Sequence, residues 1–219
     1  MITLEDVKNN DEVKELVSGA QQQLDALGYT EHSTRHITIV SERAGEILRT
    51  LGYDEKKVEL AKIAGYLHDI GNCINRIDHA HSGAILAYDI LRRMGMPIND
   101  CVQILMAIGN HDEKTGNSVS EISAALILAD KSDVHRSRVR NNNMASFDIH
   151  DKVNYAVTKS ALNISSEERK VTLELTTDTN ICPMLDYFEI FMERTMMSKY
   201  AAKYLNIWFE LIINDTKLL

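Results

Sequence analysis

The sequence contains very little proline and no long apolar run. Only two of its 219 residues are proline and ten are glycine, so long stretches lack the residues that interrupt helices. No apolar segment approaches the roughly 20 residues that a helix needs to cross a bilayer. The first residues also lack the basic-then-apolar order of a signal peptide. We therefore expect a cytoplasmic protein that is rich in helices.

Cysteine and positive charge are also scarce. Cys73, Cys101 and Cys182 lie far apart and form no C-x-x-C pair, which argues against a zinc finger or a disulfide framework. The formal net charge of -8 gives the surface no attraction for nucleic acid or for anionic membranes. A phosphate-bearing substrate would therefore need a local positive centre.

Helical spacing of apolar residues dominates the first 140 positions. It predicts helices over about 11–27, 33–51, 54–69, 79–94, 99–109 and 120–134. The helix that ends near residue 69 is apolar on nearly all sides in its second half. We therefore expect it to lie at the centre of a bundle.

The character of the chain changes beyond about residue 140. Apolar and polar residues alternate from Val153 to Val157 and again from Val171 to Leu175, as in strands. Pro183 stands where another helix could begin, and 207–213 resembles a last strand. The order predicts a mainly α protein with two parts, a helical domain over residues 1–140 and a small β-β-α-β lobe over residues 141–219.

The most informative stretch is the apolar run Ala64–Gly71, which contains His68 and Asp69 side by side. A carboxylate in an apolar segment is costly unless charge meets it, and no Lys or Arg lies within five residues of this pair. A metal ion is the natural partner. We expect Gly71 to end the helix in the left-handed conformation that glycine commonly adopts there.

Other helices carry the same kind of residue inward near one end. His36 lies on the apolar face of an earlier helix, and Asp130 follows five apolar residues in a later one. Helical bundles build metal sites in their cores in this way. Together with His68 and Asp69, these residues offer a nitrogen and oxygen donor set suited to Fe, Mn, Co, Ni or Zn.

A second ion would need further ligands. His111 ends an apolar helix, and His79 or His81 could supply another ring nitrogen. Gly83 stands four residues after His79, where it would let a helix pack closely, and this favours His79 over His81. Asp69 would then bridge two ions, which would share a hydroxide.

This pattern resembles the HD superfamily of metal-dependent phosphohydrolases, whose signature is a histidine, then His-Asp, then a distant Asp. Four residues match this signature: His36, His68, Asp69 and Asp130. Two more, His79 and His111, match the extra histidines of the members that bind two metal ions. The resemblance covers about residues 12–140. It implies an all-helical core and hydrolysis of phosphate mono- or diesters, often in nucleotides, by attack of a metal-bound hydroxide on phosphorus.

The resemblance also implies cofactors and roles. One or two divalent transition metals are expected, Fe or Mn first, with Zn, Ni, Co or Mg as alternatives. Asp69 and His68 would be catalytic through these ions. Asn72 stands where the cyclic-dinucleotide phosphodiesterase branch usually has Lys, and no Gly-Tyr-Pro follows His111. We therefore do not expect that branch's substrate.

Positive side chains near these positions are candidates to bind the substrate phosphate. They are Lys131 beside the last ligand, Arg76 after the His-Asp pair, and Arg136, with Arg138 or Arg140 as alternatives in the same basic run. A guanidinium can bind phosphate through two parallel hydrogen bonds. The expected partner is a small phosphate-bearing molecule, and the resemblance implies a nucleotide.

Two other functions stay open. The HD scaffold also resembles that of dinuclear iron oxygenases, which use similar ligands to activate dioxygen. A non-catalytic nucleotide sensor that contains metal is the other alternative, with the C-terminal lobe reporting binding to a partner. The methionine- and aromatic-rich stretch 184–197 is interpreted first as core and second as the contact of a homodimer.

Overall fold

The computed structural model describes residues 2–28, 34–139, 147 and 149–219. The N-terminal part is helical, with α1 (Leu4–Asn9), α2 (Asp11–Ala26), α3 (Thr34–Thr50), α4 (Glu55–Leu67), α5 (His79–Arg93), α6 (Ile98–Gly109) and α7 (Glu121–Lys131). The C-terminal part has α8 (Ile149–Ala156), β1 (Val157–Ser165), β2 (Lys170–Thr177), α9 (Met184–Tyr204), β3 (Trp208–Ile213) and β4 (Thr216–Lys217). Short 3₁₀ helices cover Ile70–Cys73 and Arg136–Arg138.

Helices α4 and α7 form the centre of the bundle. In α7 every residue from Ile122 to Lys131 is buried, and in α4 the stretch from Leu60 to Leu67 is buried except for Lys62. Both helices are apolar around most of their circumference, so only a position surrounded by other elements removes that surface from water. The expected central helix is confirmed, and it carries the His-Asp pair at its end.

Several helix ends follow from local sequence. The Asp54 carboxylate accepts a hydrogen bond from the Lys57 backbone N–H at 2.9 Å and caps α4. The Ser120 hydroxyl caps α7 in the same way, accepting from the Ser123 N–H at 3.1 Å. Such side-chain oxygens satisfy backbone donors that have no partner within the helix.

Gly71 has a different role from the one expected. Positive φ angles occur at Gly28, Gly52 and Gly95 among the described glycines, but not at Gly71, which lies within the 3₁₀ helix after α4. A Cβ atom at Gly71 would collide with the His79 carbonyl oxygen and lie 2.5 Å from the Gly83 nitrogen. Glycine is therefore needed for the close approach of α5 to the His-Asp turn, not to end a helix.

The C-terminal part confirms the predicted β-β-α-β order and adds β4. Strands β1 and β2 are antiparallel, β2 and β3 are parallel with α9 as the crossover, and β4 pairs antiparallel with β3. The strand expected from Val153 is wrong for its first residues, because Val153 and Tyr155 lie in α8 and the strand begins at Val157. A run of a few alternating residues does not distinguish a short helix from a strand.

The two predicted parts share packing. The main apolar core contains Met197, Ala201 and Ala202 of α9 together with residues of the helical bundle. The predicted boundary at 140/141 and the predicted helix start at Ser33 lie outside the described residues, and the division into two domains stays a prediction. None of the helices in the described part of the chain is both long and apolar enough to span a bilayer.

We predict that Gly71→Ala destabilises the protein and displaces α5 from the His-Asp turn. The new methyl group would meet backbone atoms of His79 and Gly83, which cannot rotate away. Overpacking of this kind costs about 1–3 kcal/mol. The loss should appear as a lower midpoint in thermal or urea unfolding.

Gly109→Ala is the matched control. Its Cβ would meet only the Ala84 Cβ at 3.6 Å, an ordinary contact. This variant should unfold within about 1 kcal/mol of the wild type, since alanine also favours the helix. Equal stability of Gly71→Ala and Gly109→Ala would contradict the packing role of Gly71.

Candidate metal centre

The His-Asp pair lies at the end of α4, where the helix gives way to the 3₁₀ turn. His68 and Asp69 are 1% and 5% exposed. Nδ1 of His68 lies 2.8 Å from the Gly65 carbonyl oxygen. The Asn72 amide donates to Asp69 Oδ1 at 2.8 Å and to the Asp69 backbone oxygen at 2.9 Å. Both side chains are thus held by groups from their own turn.

His36 reaches the pair from the first turn of α3 and is fully buried. Its Nδ1 lies 2.7 Å from Asp133 Oδ2, a residue that follows α7. Its Nε2 lies 3.4 Å from Asp130 Oδ1 and 3.8 Å from Asp69 Oδ2. A contact between the start of α3 and the end of α7 therefore brings the first and last residues of the predicted signature together.

His79 and His111 complete the cluster from the start of α5 and the end of α6. Their Nδ1 atoms lie 3.1 Å from the Arg76 carbonyl oxygen and 2.6 Å from the Ile108 carbonyl oxygen, respectively. Their Nε2 atoms are 3.2 Å apart. His79 Nε2 is 3.5 Å and His111 Nε2 is 4.0 Å from Asp69 Oδ1.

All four histidines therefore have the same tautomer. A carbonyl oxygen only accepts, so Nδ1 of His68, His79 and His111 must carry the proton and donate it. The Asp133 carboxylate accepts from His36 in the same sense. The inward-facing Nε2 of a neutral ring then has a lone pair, which is the form in which histidine binds a metal ion.

The electrostatics agree with neutral rings in the His79–His111 pair. Burial, together with the charges of the neighbouring His68 and His79, lowers the pKa of His111 to about 3. Burial also lowers the pKa of His79, against the opposing effect of Asp69. Two Nε2 lone pairs 3.2 Å apart repel each other, and a cation between or beside them removes that repulsion.

His68 behaves differently because it lies between two carboxylates. Burial disfavours its charged form, but the charges of Asp69 and Asp130 and a hydrogen bond to Asp69 outweigh it and raise the pKa of His68. Its Nε2 is 3.3 Å from Asp69 Oδ2 and 3.9 Å from Asp130 Oδ1. A proton and a metal ion compete for this one lone pair.

The donor atoms form two overlapping groups that share His68, and either group could hold an ion. His36, His68 and Asp130 supply one set, and His68, Asp69 and His111 supply the other, with donor atoms within 4.8 Å of one another in each. Asp69 directs Oδ2 toward His36 and His68 and Oδ1 toward His79 and His111. Buried nitrogen and carboxylate donors in this arrangement fit one or two divalent transition metals.

Of the two histidines predicted as alternatives for the second ion, His79 is the one that faces the cluster. Within the described residues His79 is 4% exposed and faces the cluster. His81 has a side chain that is 55% exposed and lies 3.6 Å from the Asp78 carboxylate. The six candidate ligands therefore lie together, while their ligation stays a proposal.

The candidate phosphate-binding residues are placed unequally. Arg76 is partly exposed, and its Nη1 lies 3.2 Å from His79 Nε2 and 3.9 Å from Asp69 Oδ1. Lys131 is buried and bonded to Asp130 Oδ2 at 2.6 Å. Arg136 packs over the Tyr155 ring, 5.2 Å from its centroid, and forms no ion pair with the cluster within the described residues. Arg140 lies outside the described residues.

Several residues around the ligands were not predicted as part of the site. They are Asn72, Glu113, Asp133 and Arg194. Arg138 was predicted only as a residue that could bind phosphate, but it donates to the Asp133 carbonyl oxygen at 2.8 Å. Asp133 had a local signal, because it follows Asp130 by three residues. Arg194 had none, since it lies 81 positions from its partner Glu113.

Asp133 is held in its ionised form. Burial would raise the pKa of its carboxyl group, but the hydrogen bond from His36 and the charges of Arg138 and Arg35 hold that pKa well below its usual range. Arg35 Nη2 lies 3.2 Å from Asp133 Oδ2. An ionised acceptor fixes the ring of His36 and makes its Nε2 a stronger donor to a metal ion.

The fold and the cluster define a helical domain with a buried histidine–aspartate centre that could hold divalent metal. Residues 33–137 match the sequence model of the HD domain family. The chain therefore contains an HD domain, and every candidate ligand lies within it.

Two other proteins are similar to this chain in sequence or in structure. The chain is 29% identical over 136 residues to an uncharacterized protein of Methanocaldococcus jannaschii, a match that covers 52% of each protein. The chain thus spans about half the length of this relative. A crystal structure of a predicted HD superfamily hydrolase from an uncultured Thermotogales bacterium is 27% identical, with a TM-score of 0.45, over 61% of this chain and 75% of that one.

We predict that Asp133→Asn weakens metal binding without removing a ligand. The amide is neutral and holds the His36 ring less firmly, so Nε2 becomes a poorer and less oriented donor. Loss of such an outer partner typically costs about 10–100-fold in metal affinity. Isothermal titration of the metal-free protein with Mn²⁺ or Co²⁺ measures the change.

Asp89→Asn serves as the comparison variant, because Asp89 is exposed on α5 and pairs with Arg93 at the surface. Its affinity should equal that of the wild type. Asp133→Asn with wild-type affinity would show that His36 needs no ionised partner.

Proposed function

We propose that the protein is a metal-dependent hydrolase of phosphate mono- or diesters, with nucleotide-type substrates as in the family that it resembles. The observation that carries this proposal is the common orientation of the cluster histidines, whose Nδ1 atoms are occupied and whose Nε2 atoms converge on two carboxylates. The residues that would hold the ions are His36, His68, Asp69, His79, His111 and Asp130.

The donor set favours Fe or Mn, with Zn, Ni, Co or Mg as alternatives. When bound, such ions lower the pKa of a water ligand toward neutrality and so supply a nucleophile for phosphate ester hydrolysis. His36 and Asp130 belong to one side of the cluster, and His79 and His111 belong to the other. Asp69 lies between them, which supports a bridging role in a two-ion centre.

Arg76 is the positive group best placed to bind the substrate. Its side chain is 29% exposed, while its guanidinium lies beside His79 and Asp69. It can therefore contact both solvent and the cluster, as a residue that binds a phosphate oxygen must. In a chain of net charge -8, this guanidinium provides the local positive centre that an anionic substrate needs.

Lys131 has a different part in the proposal. It is 3% exposed and its ammonium lies between the carboxylates of Asp130 and Glu113, at 2.6 and 3.0 Å. These two ion pairs orient Asp130 toward the ions rather than leaving the ammonium to meet a substrate. Contact of Lys131 or Arg136 with phosphate stays a prediction.

The homodimer also stays a prediction. Along α9 the side chains of Leu185, Met192 and Tyr200 are 78%, 47% and 57% exposed. Apolar side chains on an outer helix face support a contact with a second copy of the chain. The inner face of α9 packs in the core, so both interpretations of this segment are compatible.

We predict that Asp69→Ala and His79→Ala both lower hydrolysis of an aryl phosphate and of nucleotide esters. Asp69→Ala removes the central carboxylate and should reduce kcat on the order of 1,000-fold together with the metal content. His79→Ala should leave one ion per chain where the wild type holds two. Elemental analysis and turnover are measured on the same preparations.

His81→Ala is the matched control for His79→Ala, because the two histidines lie two residues apart and only His79 faces the cluster. It should retain metal and turnover. Full activity in Asp69→Ala would refute the proposed site. Oxygen consumption that requires reduced iron, without phosphate ester hydrolysis, would support the oxygenase, and tight nucleotide binding without turnover under every metal would support the sensor.

We predict that removal of metal by a chelator both abolishes turnover and lowers thermal stability. An ion at 100 times its Kd stabilises the folded state by about 2.7 kcal/mol, which corresponds to a shift in Tm of about 5–10 °C for a chain of this size. Return of the ion should restore both properties. The Asp130→Ala variant should show a smaller shift, and a shift of wild-type size in that variant would place the ion elsewhere.

A further inference from the structure

A chain of four alternating charges runs from the metal centre to the C-terminal part of the protein. Lys131 Nζ lies 2.6 Å from Asp130 Oδ2 and 3.0 Å from Glu113 Oε1. Arg194 Nε donates to the same Glu113 oxygen at 3.2 Å. Asp130 and Lys131 end α7, Glu113 follows α6, and Arg194 comes from the middle of α9. Arg194 lies outside the residues that match the HD domain.

The position of Arg194 depends on the C-terminal core. Its guanidinium lies 5.1 Å from the ring centroid of Phe191, one turn earlier on α9. Phe191 in turn packs edge-to-face on Tyr187, and both rings belong to the apolar cluster formed with β2 and β3. The side chain of Arg194 is 15% exposed, so its direction is fixed by packing.

In this chain of four charges, the two oxygens of the Asp130 carboxylate have different contacts. Oδ2 accepts from Lys131, while Oδ1 lies 3.4 Å from His36 Nε2 on the side of the cluster. Glu113 is the second carboxylate that holds the Lys131 ammonium, at 3.0 Å. Without that second carboxylate the ammonium could move toward the ions and compete with them for the oxygens of Asp130.

Glu113 can do this only as an anion. Its Oε1 lies 3.0 Å from the Lys131 ammonium and 3.2 Å from Arg194 Nε, so two positive groups pair with its negative charge. Arg194 is the outer of these two cations. It therefore supports the charge of Glu113 through the same oxygen that Lys131 contacts.

We propose that Arg194 is a positioning residue of the metal centre, which fixes the Asp130 carboxylate through Glu113 and Lys131 and makes the C-terminal part necessary for full metal affinity. The inference rests on the proposed function in taking Asp130 as a ligand. It assigns to α9 a role in the site that the HD domain alone does not supply.

The test compares Arg194→Gln with Arg194→Lys in titrations of the metal-free protein with Mn²⁺. Arg194→Gln should weaken affinity about 10-fold, at the lower end of the range for outer partners of ligands. Arg194→Lys retains the charge and should recover part of the loss. Lys199→Gln, an exposed charge on the same helix, is the control and should bind as the wild type does.

A double-variant cycle with Glu113→Gln separates this role from a general structural one. If Arg194 acts through Glu113, Arg194→Gln should weaken affinity much less in the Glu113→Gln background than in the wild type. Losses that multiply independently would overturn the proposal. So would an Arg194→Gln protein that melts at a lower temperature without metal but binds Mn²⁺ with wild-type affinity.

Two further outcomes are informative. If Arg194→Gln does not fold, Arg194→Lys can be compared alone and in combination with Glu113→Gln. Wild-type affinity for Mn²⁺ in both Arg194→Lys and Glu113→Gln would then overturn the proposal. A wild-type protein that binds none of the divalent ions would overturn both this inference and the proposed function. A wild-type protein that binds Mn²⁺ with affinity unaffected by Arg194→Gln would overturn this inference alone.

Discussion

The hydrogen bond that each cluster histidine donates from Nδ1 is the interaction on which the site depends. Without it a ring could present either nitrogen, or rotate away from the carboxylates. His68, His79 and His111 each donate to the backbone carbonyl three residues earlier. His36 donates instead to Asp133, 97 positions away in the sequence. The site thus combines three candidate ligands oriented locally with one oriented by tertiary packing.

Helix ends explain why backbone carbonyl oxygens are free to accept the Nδ1 hydrogen bonds of these histidines. The last four carbonyls of a helix have no partner within it, and His68 and His111 stand just beyond α4 and α6, where they bond such a carbonyl. The position at a helix end also turns the chain away, so Asp69 and the following 3₁₀ turn can approach α5. Gly71 permits that approach because any side chain there would meet the backbone of His79 and Gly83.

These relations decide what could be predicted from the sequence. The helices and the six candidate ligands could be found because apolar periodicity and a polar residue at the end of an apolar run are local features. The role of Gly71 could not, since a glycine after a helix fits a left-handed cap equally well until α5 is placed beside it. The helical state of Val153 and the contact of Arg194 with Glu113 depend on tertiary packing, which leaves no local signal.

The buried charges show how the centre and the rest of the protein stabilise each other. Asp133 forms ion pairs with Arg35 and Arg138, and Asp130 forms one with Lys131. Removing one member of a buried pair leaves an uncompensated charge, which costs far more than the pair contributes. The cluster must therefore assemble together with the end of α7, because His36, Asp130 and Asp133 meet only when α3 packs there. The histidines at the ends of α4 and α6 need no such contact to be oriented, so the packing of α3 on α7 is the step that completes the donor set.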